Sequence, residues 1–269
     1  QFLMSIILLL FLDHFSIVCE MYGINSESNG INSELNIDSA LNITGLLDPP
    51  DYFDWRDRKV VSPVKSQETC AACWAFSAIA NIESHLKIHL GREERLSEQF
   101  LIDCNPRSVG CGSMSLLETF SMIVSNGGVL RDADYYPYAA RPLPCRWDKN
   151  RQLMPVMGYR RVKRDEELMK VFLYNLGPLS AGINSESMKK YTGDIDEPAE
   201  GEYLPNERDH AVLIVGYNTY LDPNTGKRTD YWIIKNSWGA EWGDHGFYYL
   251  VRGRNACGIA EDVAFSFVD

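Results

Sequence analysis

No stretch of this 269-residue chain is long and apolar enough to cross a bilayer. The strongest candidate, Ser5–Leu12 (SIILLLFL), falls well short of the roughly 20 apolar residues a spanning helix needs. Residues 1–55 contain no Lys or Arg and eight acids, so most of the net charge of −11 sits at the front. The remainder carries 29 acids against 26 bases and is close to neutral. A pI near 5.0 argues against a surface for nucleic acid or anionic lipid, which needs clustered Lys and Arg. A metal centre also lacks its parts: Cys70-x-x-Cys73 has no second pair at similar spacing, and among the histidines only His85 and His89 stand four apart. We expect those two on the solvated face of a helix, and no metal or other cofactor. A thioredoxin-type redox pair would need a βαβ context around Cys70 and Cys73, which is missing.

What is present is the material of a globular core. At 45% apolar and 12% aromatic, the chain has ample surface to bury and is not intrinsically disordered as a whole. The apolar run near the start reads as the core of a secretory signal over residues 1–19. Residues 20–47 read as a short acidic leader or propeptide. They repeat Gly-Ile-Asn-Ser-Glu at 23–27 and 30–34 and hold the sequon Asn42-Ile-Thr44, which matters only on the secretory route. Pro49-Pro50 closes this stretch, and a domain over 48–269 follows.

Within that domain helical patterns precede strand patterns. Trp74 to Leu90 predicts a helix with Phe76, Ile79, Ala80, Ile82 and Leu86 toward one face and Gly91 as its stop. Ser97 can cap a short helix to Cys104, Leu116 to Val124 is a third, and Asp165 can cap a fourth over Glu166–Leu176. Strand-like runs follow at 180–183, 211–217, 231–235, 246–251 and 263–267, with a turn at 222–226. Helices segregated from a later antiparallel sheet predict an α+β fold in two lobes, the helical one over about 70–160 and the β one over about 161–255, with terminal segments crossing between them.

Chemistry concentrates in three places: Gln67-Glu-Thr-Cys70-Ala-Ala-Cys73-Trp-Ala-Phe-Ser77, Asp209-His210-Ala-Val-Leu-Ile-Val-Gly-Tyr217 and Tyr231-Trp-Ile-Ile-Lys-Asn236-Ser-Trp238-Gly239. A free thiol titrates near 8.5, and ionising one fully at acidic pH means lowering that by about 5 units, about 7 kcal/mol. A helix N-terminus supplies only ~0.3–2 kcal/mol, so an activated Cys73 requires a histidine. His210 is the best of the five, because it precedes a buried-looking strand that would hold its ring.

In these segments the sequence resembles the papain-like cysteine peptidases, the family of papain and cathepsins L, B and O. The resemblance runs from about Asp51 to the C-terminus and includes Asp54-Trp-Arg56, Leu96-Ser-Glu-Gln99, Asp134-Tyr-Tyr-Pro-Tyr138, Gly177-Pro178 and Cys257-Gly-Ile-Ala260. It implies a two-lobed fold with the helical lobe packed on a β-barrel-like lobe and the active site in the cleft between them. Cys73 is then the nucleophile, His210 its base, Asn236 the holder of the imidazole tautomer and Gln67 an oxyanion donor. Trp238 shields the His–Asn bond.

The resemblance also implies disulfides Cys70–Cys111 and Cys104–Cys145, and a substrate surface of Met114, Ser115, Leu116, Gly182, Ala211, Asp262 and Trp238. Asp262 falls at the base of the pocket for the second residue on the acyl side of the scissile bond, with small neighbours in Gly182 and Ala211. A roomy pocket accepting Arg or Lys is the expectation. Cys257 lacks a partner, since no cysteine lies between 146 and 256; it is free or tied to Cys19. The implied biology is a secreted or lysosomal, monomeric endopeptidase acting on proteins and peptides and bound by cystatin-type inhibitors. Glu68, Ala71 and Ala72 replace the family's usual Gly, Gly and Ser, and Met114 stands in the usual glycine wall. These departures sustain the alternative of a catalytically impaired homologue that binds peptides or proteins.

Overall fold

The structure is a computed structural model and describes residues 46–199 and 201–268. The expected signal, leader, sequon and Cys19 lie outside the described residues. From the N-terminus the elements are β1 (Phe53–Asp54), α1 (Cys73–Leu90), α2 (Glu98–Asp103), α3 (Leu116–Asn126), β2 (Val156–Val162) and α4 (Glu166–Asn175). They continue with β3 (Leu179–Ile183), β4 (Ile195–Asp196), β5 (His210–Leu221), β6 (Arg228–Lys235), β7 (Phe247–Val251) and β8 (Val263–Val268). Helices thus dominate the first half and strands the second, the α+β arrangement expected.

The caps follow local chemistry. Ser97 Oγ accepts from Phe100 N, and Asp165 accepts from the N–H groups of Glu167 and Leu168, each satisfying first-turn donors that have no helical partner. Ser115 and Glu118 close a reciprocal capping box at the start of α3. Gly91 ends α1 at φ 64°, a left-handed conformation that glycine adopts without a Cβ penalty.

α1 departs from the one-faced pattern. Every residue from Trp74 to Leu86 is buried, polar ones included, because the helix is enclosed on both sides. One side packs on Phe100, Leu101, Phe120 and Ile123 of α2 and α3. The other meets β5, where Ala80 joins Leu213, Val215 and Ile233 in a second cluster. The polar residues on that side bond to the sheet: Ser77 Oγ donates to Val212 O (2.7 Å), and Asn81 Nδ2 to Pro178 O (2.8 Å). Asn81 Oδ1 accepts from Ser266 N and Oγ, and Ser180 Oγ donates to Ser77 O.

His85 and His89 are likewise not on a solvated face. His85 is 1% exposed, and the two imidazoles donate from Nε2 to Pro178 O (3.0 Å) and Leu176 O (2.9 Å). A third buried polar group ties Lys65 Nζ to Glu98 (2.8 Å) and Glu83 (3.2 Å) beside the same helix.

The strands form one sheet in the order β2-β8-β3-β5-β6-β7-β4, with β1 paired to β5. Neighbours are antiparallel except β4 and β7. β5 is the spine. It pairs β3 with His210 opposite Ile183 and Ala211 opposite Gly182, and it pairs β6 out to Leu221 opposite Arg228. Cys70–Cys111 and Cys104–Cys145 are bonded, each closing a sequence separation of 41 residues. Closing loops of that size contributes about 2–4 kcal/mol each. Cys257 is unbridged and buried, with its Sγ 3.3 Å from Ser187 Oγ.

Candidate active site

Cys73 is the first residue of α1, half-buried at the helix end. Four residues of helix advance about 6 Å, and two residues of strand about 6.6 Å. The Ser77–Val212 bond therefore sets Cys73, one turn earlier on the same face, against the beginning of β5 at His210 and Ala211. The sulfur does meet that strand. The backbone N–H of Ala211, with those of Trp74 and Cys73 itself, favours the thiolate, while burial is the larger influence and pushes the thiol up.

His210 opens β5 and is 7% exposed. Its Nε2 lies 2.7 Å from Asn236 Oδ1, at the end of β6. The same Oδ1 accepts from Ser237 N at 2.8 Å. A backbone N–H can only donate, so the atom it faces is the amide oxygen, and the imidazole nitrogen facing that oxygen carries the hydrogen. Hence His210 is held as the Nε2–H tautomer and its Nδ1 is the free base. Burial pushes this imidazole down; the Asn236 bond and the Asp209 charge oppose that. Trp238 covers the ring, with centroids 4.8 Å apart, and is itself packed edge-on by Trp242 at 5.1 Å.

Gln67 is clamped at every polar atom. Its N–H donates to Ser237 O (2.8 Å), and its carbonyl accepts from Tyr138 OH (2.6 Å). The side-chain Oε1 accepts from Ser237 Oγ (2.7 Å), and Nε2 donates to Cys70 O (3.0 Å). One Nε2 hydrogen is thus engaged, and the second is available for another acceptor. Tyr138 and Ser237 lie in segments already singled out in the sequence, whereas their bonds to Gln67 depend on the fold. Ser237 adjoins Asn236 and so braces the amide and the imidazole from a single strand end.

The remaining substrate-surface residues divide. Ala211 and Gly182 face each other across β3 and β5, and Asp262 O accepts from Gly182 N (2.8 Å). Met114 is half-buried, its sulfur contacted by Asn105 Nδ2 (3.2 Å). Ser115 is taken by the capping box of α3. Leu116 is 2% exposed and packs into the core, which removes its side chain from the substrate surface. Glu68 is exposed with φ 50°, so a charged residue holds the left-handed conformation for which glycine is the usual choice.

Fold and site together define a two-lobed α+β protein with a helix-initiating thiol, a tautomer-fixed imidazole and a buried carboxamide brought to one place. The chain belongs to the family described as papain family cysteine protease, whose profile matches residues 49–267. It is 37% identical over 213 residues to cathepsin F of Drosophila melanogaster, covering 79% of this chain and 34% of that protein. It is 39% identical over 224 residues to cysteine proteinase 1 of Zea mays, covering 78% of this chain and 59% of that protein. Against cathepsin S of Mus musculus it is 38% identical over 220 residues, covering 78% and 62%. The structure of digestive procathepsin L2 proteinase from Tenebrio molitor larval midgut superposes with a TM-score of 0.75 at 34% identity, covering 82% of this chain and 69% of that one. The chain therefore spans about a third of the fly relative's length and about three fifths of the maize and mouse relatives'. Among the described residues no helix is long and apolar enough to cross a membrane.

Proposed function

We propose that the chain is a cysteine endopeptidase hydrolysing peptide bonds of protein and peptide substrates, with Cys73 as nucleophile. The observation that carries this reading is the Nε2–H tautomer of His210, imposed by an Asn236 oxygen that also serves Ser237 N. It leaves Nδ1 as the base for the Cys73 proton. Burial opposes charging either group alone. Moving the proton from sulfur to nitrogen creates both charges at once, and two opposite charges at about 4 Å attract by about 4 kcal/mol at an effective dielectric of 20. The N-terminus of α1 adds ~0.3–2 kcal/mol for the anion.

The thiolate attacks the peptide carbonyl carbon and forms a C–S bond. The carbonyl oxygen becomes an oxyanion, received by the Cys73 backbone N–H and the second hydrogen of Gln67 Nε2. As the C–N bond breaks, the Nδ1 proton passes to the leaving amine, and a thioester remains. Water, losing a proton to Nδ1, then attacks the thioester; the C–S bond breaks and the carboxylic product leaves. Nothing in 104–145 reads as an insertion over one end of the cleft, which favours internal cleavage over exopeptidase action. Two disulfides suit an oxidising compartment, and by family analogy we place the protein in the secretory or lysosomal route, as a monomer open to cystatin-type inhibitors.

Iodoacetamide labelling at pH 5, mapped by mass spectrometry and followed with a fluorogenic peptide, tests this. Modification is expected at Cys73 with matching loss of hydrolysis, and both are lost in His210→Ala. Labelling confined to Cys257, or peptide hydrolysis surviving in Cys73→Ala, overturns the reading in favour of a peptide-binding homologue.

A further inference from the structure

Asn236 and Ser237 line a cavity of about 20 Å³ whose other walls are charged. Lys65, Glu83, Glu98 and Lys235 reach it from four separate segments. Glu83 and Lys235 are only 3% and 5% exposed. Glu83 belongs to α1, the helix that Cys73 opens, and Lys235 is the last residue of β6, immediately before Asn236. The cavity therefore sits where the helix of the thiol meets the strand end that orients the imidazole.

Hydrogen bonding around this space is incomplete. Glu83 Oε1 accepts from Lys65 Nζ (3.2 Å) and from Leu96 N (2.9 Å). Its other oxygen, Oε2, is buried and accepts from no group among the described residues. Glu98 Oε1 takes Lys65 Nζ at 2.8 Å. Lys235 Nζ donates to Ser62 Oγ (3.0 Å) and to no other acceptor among the described residues. An ammonium carries three N–H donors, so two are left over. Burial pushes this amine down to about 8; the charges of Glu83 and Glu98 oppose the shift and Lys65 adds to it. A buried acceptor without a donor and buried donors without an acceptor thus border one space, an arrangement that is costly unless something joins them.

Size and charge specify what joins them. A water needs about 10–15 Å³ and two to four polar partners, so this cavity has room for one. Two amines and two carboxyl groups face it, a balance that favours a neutral guest over an anion or a cation. We propose that the cavity is the site of a single internal water that accepts from Lys235 Nζ and donates to Glu83 Oε2. Lys235, held through that water, is a positioning residue for Asn236 and so for His210. The bridge ties α1 to the end of β6, as Ser77 ties it to β5. The water site stands without the peptidase reading; only the rate measurements below rest on it.

A high-resolution crystal structure of the wild-type protein tests the site directly. One ordered water is expected within about 3.2 Å of both Glu83 Oε2 and Lys235 Nζ. A dry cavity, or carboxylate and ammonium in direct contact, overturns the inference. Lys235→Met keeps the stem and removes the donors. Its kcat should fall about tenfold with KM within twofold of wild type. The low-field proton resonance of His210 Nε2–H, which reports the Asn236 bond without turnover, should shift or vanish. Ser62→Ala removes the protein acceptor of Lys235 and leaves the water in place, so its kcat should stay within twofold. Equal losses in the two variants would mean that Lys235 is anchored through Ser62, and would end the positioning role. Glu83→Gln, a milder change at the other end of the bridge, should move the same resonance; no movement there overturns that role even where Lys235→Met does not fold. A wild-type protein without turnover, but with the water and the resonance change in place, would sink the peptidase reading alone.

Discussion

Ser77 Oγ donates to Val212 O at 2.7 Å, and this bond sets the register of α1 on β5. Because Cys73 and Ser77 are one helical turn apart and His210 and Val212 one strand repeat apart, the same registration brings thiol and imidazole to the same level. Ser77→Ala leaves Val212 O without this donor. Loss of a buried partner costs about 1–3 kcal/mol, and small misplacement of reacting groups lowers rates disproportionately, by up to about 10²-fold per ångström. We expect a lower urea midpoint together with a kcat reduced about tenfold; a variant with wild-type kcat and reduced stability would show that the registration has other supports.

Asn236 has two tasks, orienting His210 and receiving Ser237 N. In Asn236→Ala the imidazole is free to rotate and to place its hydrogen on Nδ1, where it cannot accept the thiol proton. A fall in kcat/KM of about 10²-fold or more is expected, by comparison with serine triads in which the wrong tautomer costs about 10⁴. Asn236→Asp keeps an acceptor for both donors and should recover part of the rate. Equal losses in the two variants would contradict tautomer control.

Gln67 combines an electrostatic role with a packing role. Removing one oxyanion donor typically costs about 10²–10³ in kcat. Gln67→Ala should show that loss and also destabilise the fold, since Ser237 Oγ loses its acceptor. Gln67→Glu retains an acceptor for Ser237 but loses the donor and faces Cys70 O with an oxygen, so its kcat should fall as far and its stability should fall as well. Stable, fully active Gln67→Glu protein would remove Gln67 from the oxyanion site.

Acid stability is the place to look for His85. Burial, with His89 nearby, lowers its pKa from 6.5 to about 3. The unfolded chain therefore takes up a proton near pH 6.5 that the folded protein refuses until about pH 3, and stability is lost across that window at up to about 1.4 kcal/mol per pH unit. His85→Gln keeps a donor for Pro178 O and does not titrate. The difference in urea midpoint between variant and wild type should move in the variant's favour from pH 7 to pH 4.5. A constant difference across that range would mean that His85 charges in the native state.

Much of the site could be read before any coordinates, because its residues sit in short segments whose chemistry is local: a helix-opening Cys73, a strand-opening His210 and a strand-ending Asn236. The caps at Ser97, Asp165 and Gly91 were legible for the same reason. Other features depend on tertiary partners. β5 continues past Tyr217 to Leu221, and β6 begins at Arg228, since Asn218–Leu221 and Arg228–Tyr231 pair with each other. That ribbon is mainly polar and shows no alternation to betray it. β2 carries Gly158 and two arginines in its seven residues and is held as a strand by pairing with β8. The polar face of α1 promised solvent for His85 and His89, whereas the sheet supplies carbonyl acceptors there. Tyr138 was legible as part of a motif, but its bond to the Gln67 carbonyl, 71 residues away in sequence, exists only in the folded chain.

The hydroxyls and amides that stitch α1 to the sheet also decide how the molecule can move. Ser77, Asn81, Ser180 and Ser266 form a seam of directional bonds along the joint between the two halves. A purely greasy joint can slide, but this one has to break several bonds together before its halves part. Each bond lost from that joint would leave a buried polar group without a partner, at about 1–3 kcal/mol.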